Sequence, residues 1–390
     1  MSSAPSALMT PRLRVLRRPK LDVAFHVPSV ANLVSSAESP SGGGAETQVY
    51  LIARELAGRG LRVGLVCHAT DQELPLELDG IQIIRRPRPQ GDRRLVGALL
   101  ESAIVVSTIL GVDASVYVQR IASFHTGLVA LAARLRRRRF VYSSASVIDF
   151  ELASHGRAWR DRSLFRMGTA LASDIVVQTE EQAALCRARF GRVPLLIPSI
   201  SEPASYSTAQ RSAFLWIGRA DPCKRPLDFV ALAIAVPEAQ FRMVLLREGP
   251  LAGEVGEQVD QVAAAVSNLT VLGGLPRTEV GALIDQAVAV VSTSEYEGMP
   301  NVFLEAWARG VPTLALHHDP DGVIEREGVG FFLHGSGDRL ADQARVLWGT
   351  GHDQEEIARR CREYVDRSHA PSAVGERWMA LLTAQEQARA

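Results

Sequence analysis

Apolar residues recur along the chain in two alternating patterns. Short continuous apolar runs at 21–27, 62–67, 116–119, 140–143, 175–178 and 193–197 have the length and composition of strands buried on both faces. Between them lie stretches whose apolar positions return every three or four residues. One is 45–59, through Val49, Ile52 and Leu56; others are 128–137 and 180–190. Strands that alternate with helices of this length predict a parallel sheet covered on both faces. The pattern breaks in the Ser- and Pro-rich stretch 198–207 and then restarts. Residues 213–217, 242–246, 269–272, 289–292 and 313–316 read as strands, with helices at 226–235, 277–286 and 302–309. The chain is thus expected to be α/β, with two doubly wound domains at 21–200 and 207–370. A disordered basic arm (1–20) precedes them and a last helix (within 371–390) follows.

Composition narrows the class. Of 390 residues, 47% are hydrophobic and 22% charged, as in a folded globular protein. Lys+Arg and Asp+Glu both number 43, which argues against a basic nucleic-acid binder. The zero total hides a split. Residues 1–200 hold 26 basic and 17 acidic side chains, and the remainder holds 17 and 26, so the charge changes from +9 to −9 at the domain boundary. Cys67, Cys186, Cys223 and Cys361 show no CxxC spacing, which argues against a zinc module or disulfide framework and for a reducing cytoplasm. No run of 18 apolar residues is present, and the first 20 residues lack the apolar core of a secretory signal.

Open parallel sheets bind ligands beyond the carboxyl ends of their strands, and two such sheets face to face make a cleft. The richest loop there is 292–312. Gly298 permits close backbone approach, Pro300 suits the first helical position and Gly310 suits the helix end. The N–H groups of 299–302 would then form an anion site suited to a phosphate. Glu305, one turn inward from Asn301, is placed to accept two hydrogen bonds from a vicinal diol such as a ribose. Taken alone, this is equally a capped helix with two solvated glutamates.

The full string settles more than its parts. Glu297 and Glu305 are separated by seven residues, with Gly298, Met299, Pro300 and Asn301 after the first and Gly310-Val311-Pro312 beyond the second. This resembles the E-x7-E signature of retaining GT-B glycosyltransferases, family 4 in particular. Residues 216–225 resemble that family's "VGR…P.K" element, which implies that Arg219 and Lys224 hold a donor diphosphate. Two fixed cations would neutralise the charge that grows on such a leaving group. Residues 271–280 are similar to the segment whose backbone, here at Leu275, receives the nucleotide base. Residues 41–46 look like its glycine-rich loop, which places Gly43 and Gly44 against the donor phosphates or the acceptor. They do not form GxGxxG, so a dinucleotide oxidoreductase gains no support. Residues 175–197 resemble the family's closing section of the first domain.

The resemblance implies the GT-B fold, two Rossmann-like domains facing across a cleft, with the last helix crossing back to the first domain. It implies a retaining, metal-independent transferase that moves a sugar from a nucleotide-sugar to an acceptor hydroxyl, in polysaccharide, glycolipid or glycoconjugate biosynthesis. Glu297 and the backbone of Gly298 to Asn301 would position donor sugar and phosphate, and Glu305 the ribose. No cofactor is implied. The acceptor would be a carbohydrate, lipid-linked or small molecule. A nucleotide-sugar epimerase or phosphorylase of the same architecture, or a non-catalytic partner in polysaccharide assembly, is the alternative.

The sequence departs from the family on the acceptor side. Neither 119–120 nor 140–146 carries the usual histidine, so Arg120, Ser146 and Asp149 are candidates by position only. A front-face reaction can use the departing phosphate oxygen as base, so no protein base is required. Asp319-Pro320-Asp321 is a DxD, a metal motif in the other large glycosyltransferase fold. Here it follows a strand and precedes a helix, which Asp321 is expected to cap. His317 and His318, read as strand neighbours, should face opposite ways, one buried and one exposed. Arg134, Arg136, Arg137, Arg138 and Arg139 end a helix with an apolar face. They suit either a solvated helix end or an anionic membrane surface, hence a cytoplasmic protein peripheral to the inner face of the membrane. No aromatic residues interleave with them, so nucleic acid is not the expected partner.

Overall fold

Successive residues of a strand point to opposite faces, so a strand that is apolar throughout must be covered on both. In the computed structural model, which describes residues 20–30, 43–69, 75–87, 95–151, 159–204, 210–249, 251–349 and 355–384, this is how the strands are used. Val23 and Phe25 of β1 (Leu21–His26) enter one apolar cluster, while Ala24 enters another on the opposite face. The other strands of this sheet are β2 (Val63–His68), β3 (Glu77–Leu78), β4 (Ile81–Arg86), β5 (Ala114–Arg120), β6 (Arg139–Ser143), β7 (Asp174–Val177) and β8 (Leu195–Leu196). Their order is β3-β4-β2-β1-β5-β6-β7-β8. Only the β3–β4 pair is antiparallel among the described residues. The helices around this sheet are α1 (Gly44–Gly58), α2 (Leu95–Gly111), α3 (His125–Leu135), α4 (Ile148–Glu151), α5 (Trp159–Leu171) and α6 (Glu180–Phe190).

The second sheet comprises β9 (Ala213–Arg219), β10 (Phe241–Leu246), β11 (Leu269–Leu272), β12 (Ala287–Ser292), β13 (Thr313–Ala315) and β14 (Gly330–Phe332). It is parallel in the order β11-β10-β9-β12-β13-β14. Helices α7 (Pro226–Ala235), α8 (Ala252–Ala263), α9 (Arg277–Asp285), α10 (Asn301–Ala308), α11 (Val323–Glu327), α12 (Gly337–Gly349) and α13 (Glu355–Ser368) surround it. The winding direction reverses between β1 and β5 in the first sheet and between β9 and β12 in the second. A ligand crevice opens at such switch points.

The last helix, α14 (Pro371–Thr383), leaves the second domain and packs on α1. Val374, Trp378 and Leu381 join the core of the first sheet, with Trp378 edge-on to Phe25 at 6.1 Å between ring centroids. Arg139 donates to Leu381 O at 3.1 Å and pairs with Asp174 at 2.8 Å. Arg136 donates to Val112 O, and Arg138 pairs with Asp113 at 3.1 Å. Three of the five arginines in this run therefore brace the fold, while Arg134 and Arg137 are exposed. No helix among the described residues is long and apolar enough to cross a membrane. The stretch 1–19 lies outside the described residues.

Asp321 corrects an expectation. Its carboxylate does not cap the following helix but accepts hydrogen bonds from Glu180 N (2.7 Å) and Glu181 N (3.0 Å), the first residues of α6 in the opposite domain. The reason is its left-handed backbone, φ 54°, in the single 3-10 turn at Pro320–Gly322. Asp319 caps α11 instead, through Ile324 N (2.8 Å) and Glu325 N (3.3 Å). Both acids of the DxD thus serve backbone N–H groups. His317 and His318 lie just past the end of β13, and both are half-buried rather than split between faces.

A carboxylate at the positive end of a helix in the other domain is a domain clamp. Replacing Asp321 by Ala should widen the ligand-free molecule. Small-angle scattering should report a larger radius of gyration while far-UV circular dichroism stays unchanged. An unchanged radius would show that the clamp does not hold the domains.

Candidate active site

The apolar run of β9 ends in Gly218 and Arg219, which places the Arg219 side chain, exposed, at the carboxyl edge of the sheet. The chain then turns tightly. Asp221 accepts from Cys223 N at 3.0 Å and caps a single 3-10 turn, Pro222–Lys224, before Arg225 (φ 46°) opens α7. This turn is fastened to the loop after β12. Thr293 Oγ1 donates to Lys224 O (2.7 Å) and accepts from Trp216 Nε1 (3.0 Å), and Glu295 N donates to Cys223 O (3.0 Å). The two loops so joined bring Lys224 Nζ against Glu297 Oε1, both side chains only 19% exposed. Arg225 is held separately, by Asp228 (2.6 Å) and Glu295 (2.9 Å).

Beyond Glu297 the backbone runs against the first domain. A Cβ on Gly298 would lie 2.8 Å from Gln182 Nε2 and 3.0 Å from Ala145 O. The glycine therefore admits close approach of the opposite domain. Met299 is buried with Phe303 and Leu304, so only its backbone faces the cleft region. Pro300 is the residue that caps α10 rather than its first member, and Asn301 begins the helix. Asn301 Nδ2 donates to Gly44 O at 2.8 Å, and Gln48 Nε2 donates to Asn301 Oδ1 at 3.1 Å. Gly43 caps α1, and Gly44 is its first residue. Two helix N-termini from opposite domains, α1 and α10, thus meet across the cleft. Each carries a partial positive charge and N–H groups without intrahelical partners.

Glu305 lies one turn into α10. Its carboxylate is 3.4 Å from Arg277, which also reaches Glu202 (3.1 Å), and Glu202 pairs with Arg54 of α1 (2.8 Å). Burial pushes the Glu305 carboxyl above the usual carboxylate range, against the pull of Arg277 and Arg309. Leu275, half-buried in the loop after β11, packs on the cluster of Leu215, Val244 and Val290.

Across the cleft the three residues singled out by position are internally engaged. Arg120 is buried at the end of β5, donates to Ser143 Oγ (3.1 Å), and is pushed down to about 10 by burial. Ser146 Oγ accepts from Ile148 N at 3.4 Å. Asp149 accepts from Ala122 N (3.3 Å), Tyr142 Oη (3.1 Å), Ser144 Oγ (3.2 Å) and Ala145 N (2.7 Å). Its carboxyl is raised by burial, and its oxygens organise the loop after β6. The oxygens of Asp149, an acceptor-side candidate by position, are thus taken by internal donors. Sequence reading missed a neighbouring group: His26, His68 and Arg86, the last residues of β1, β2 and β4, with Glu101 and His125 beside them. A polar residue closing each apolar run was the available signal.

Residues 43–198 match the model of the glycosyl transferase 4-like domain, and residues 211–350 match that of glycosyl transferases group 1. Between them the two matches take in the glycine-rich loop, the Lys224 turn and both glutamates of the α10 segment. The chain is a glycosyltransferase of the GT-B fold. The transferase is similar in structure to sucrose-phosphate synthase from Thermosynechococcus elongatus, with a TM-score of 0.73, 17% identity, and coverage of 94% of this chain and 99% of the other. Anabaena HepE, solved with UDP and glucose, gives a TM-score of 0.71 at 18% identity, covering 93% and 99%. A glycosyltransferase from Rickettsia africae gives 0.69 at 13% identity, covering 94% and 99%. No curated protein matches the transferase in sequence.

The Asp149 assignment has a direct consequence. Replacing Asp149 by Ala leaves Ala145 N and the Tyr142 and Ser144 hydroxyls without their acceptor, a loss of roughly 2–4 kcal/mol for a buried, multiply bonded carboxylate. Urea unfolding of the transferase should show it as a lower midpoint. Wild-type stability with lost turnover would instead return Asp149 to the chemistry.

Proposed function

We propose that the transferase moves a sugar from a nucleotide-sugar to an acceptor hydroxyl with retention of anomeric configuration and without a metal. The observation that carries this reading is the Lys224–Glu297 pair, fixed at the β9/β12 switch point beside the converging N-termini of α1 and α10. In the ligand-free state Glu297 neutralises Lys224. An incoming diphosphate takes over Lys224, together with Arg219 and the helix N–H groups, and Glu297 is released toward the donor sugar. Glu305 accepts the ribose hydroxyls, and the backbone around Leu275 borders the base. Charge on the leaving diphosphate is then met by fixed cations and dipoles that need no reorganisation. The DxD carboxylates are engaged as helix caps, which leaves charge neutralisation to these groups.

The engaged Asp149 supports the retaining reading. With its oxygens bound to backbone and hydroxyl donors, the departing phosphate oxygen takes the acceptor proton on the same face from which the nucleotide leaves. HepE was solved with UDP-glucose, which makes uridine diphosphate sugars the first donors to test. The acceptor belongs to polysaccharide, glycolipid or glycoconjugate synthesis.

Replacing Lys224 by Ala should lower transfer about 100-fold or more, the typical loss of one transition-state charge donor. Steady-state turnover of UDP-sugars, with the product anomer read by NMR, checks both role and stereochemistry. An inverted product, or a donor epimerised without acceptor, would overturn the reading. Nucleotide binding should also depend on pH through Glu305. As pH falls through its raised pKa, the carboxylate gains a proton and loses acceptor capacity, so affinity weakens already above the usual carboxylate value of 4.5. Glu305→Gln should bind UDP more weakly and without that pH dependence, as measured by calorimetry.

A further inference from the structure

The carboxyl edge of the first sheet carries a second polar cluster, outside the donor groups. The adjacent strands β4, β2 and β1 end in Arg86, His68 and His26. Arg86 Nη2 donates to His68 Nε2 at 2.8 Å, and Arg86 lies 3.9 Å from the Glu101 carboxylate of α2. Glu101 is engaged more closely by His125 Nε2, at 2.9 Å, at the start of α3. His26 Nδ1 meets Gln119 Oε1 at 2.5 Å, and its ring lies edge-on to His125 at 5.4 Å.

The cluster is incomplete. Arg86 is fully buried and His26 nearly so, yet Arg86 Nε and Nη1 and His26 Nε2 have no hydrogen-bond partner among the described residues. A buried guanidinium with two idle nitrogens is costly, and the Glu101 carboxylate is too distant for a strong hydrogen bond and already shared. Gln119 Nε2 donates to Arg120 O, so Gln119 Oε1 is the acceptor for His26 Nδ1–H. His26 Nε2 then presents a lone pair, and burial keeps the ring neutral. The unmet groups thus ask for an anionic oxygen at Arg86 and for a hydroxyl donor at His26. Glu101, a quarter exposed, and the half-buried His68 connect the cluster to the surface.

We propose that this cluster is an acceptor subsite for a hydroxylated molecule bearing a phosphate or carboxylate. Arg86 holds the anionic group and His26 Nε2 accepts from a hydroxyl. Glu101, held by His125, is the carboxylate that Arg86 faces until an anion replaces it. The proposal rests on the transferase reading and deepens it on the acceptor side.

Calorimetry on the full chain, saturated with UDP to fill the donor phosphate site, tests this with glycerol 3-phosphate, inorganic phosphate and glycerol as probes. Glycerol 3-phosphate should bind more tightly than phosphate, and glycerol should not bind measurably. Arg86→Gln should weaken glycerol 3-phosphate binding about 10-fold or more while leaving UDP affinity unchanged. Glu101→Gln removes the competing carboxylate and should tighten both anions several-fold, a gain that misfolding does not mimic. If the wild type binds UDP but neither anion, the subsite is overturned and the transferase reading stands. Equal anion binding by Arg86→Gln, or no tightening in Glu101→Gln, also overturns it. Failure of the wild type to bind UDP would instead count against the proposed function.

Discussion

In a parallel sheet each strand ends on the edge where the next helix begins. All strand ends, and the positive ends of the helices that follow them, therefore collect on one side. Two such sheets placed edge to edge bring two sets of these ends together. Here the result is concrete: the N-termini of α1 and α10 are joined through Gly44 and Asn301, and Lys224 is paired with Glu297 beside them. Every other feature of the cleft depends on that convergence. A phosphate-sized charge is favoured there before any side chain is considered, and the side chains decide how it is held and released.

The domains are also joined by charge. Glu305, Arg277, Glu202 and Arg54 form a ladder from the α10 helix to α1, with Glu202 in the segment between the domains. Asp321 makes a second link, at the N-terminus of α6. Both links run from the acidic half of the chain to the basic half. The opposite net charges read from the sequence thus have local counterparts at the boundary. The arginine run in the first domain has a different outcome, since Arg136, Arg138 and Arg139 are spent on carbonyls and aspartates within the fold. A dense charge run on paper became structural bracing, because helix ends expose carbonyls that cations satisfy.

Most of the fold was legible because burial on both faces leaves a plain mark. Strands β1, β2, β9 and β12 are short apolar runs, and α6 and α7 have the bounds that their periodicity suggests. The elements that escaped lack that mark. Helix α2 is apolar nearly all round, so it shows no stripe, and β4 ends in two arginines that blur its apolar core. The donor-side candidates could be named because their motif is local: a glycine, a proline and two glutamates within one loop-and-helix segment. The polar cluster at the edge of the first sheet was not, because His26, His68, Arg86 and His125 come from four separated elements.

The sequence by itself determined the two doubly wound halves, and its resemblance to a known family named Arg219, Lys224, Glu297 and Glu305 as donor-side candidates. The halves follow from periodicity along single segments, and the resemblance rests on short motifs within them. Only the tertiary structure decided that Gly298 yields to the opposite domain, that Asp321 caps a helix it does not precede, that Asp149 is an internal acceptor, and that Arg86 is buried with unused donors. Each of these depends on which residues from distant parts of the chain become neighbours. That is settled by how the helices and sheets pack, a property that spacing along the chain does not encode.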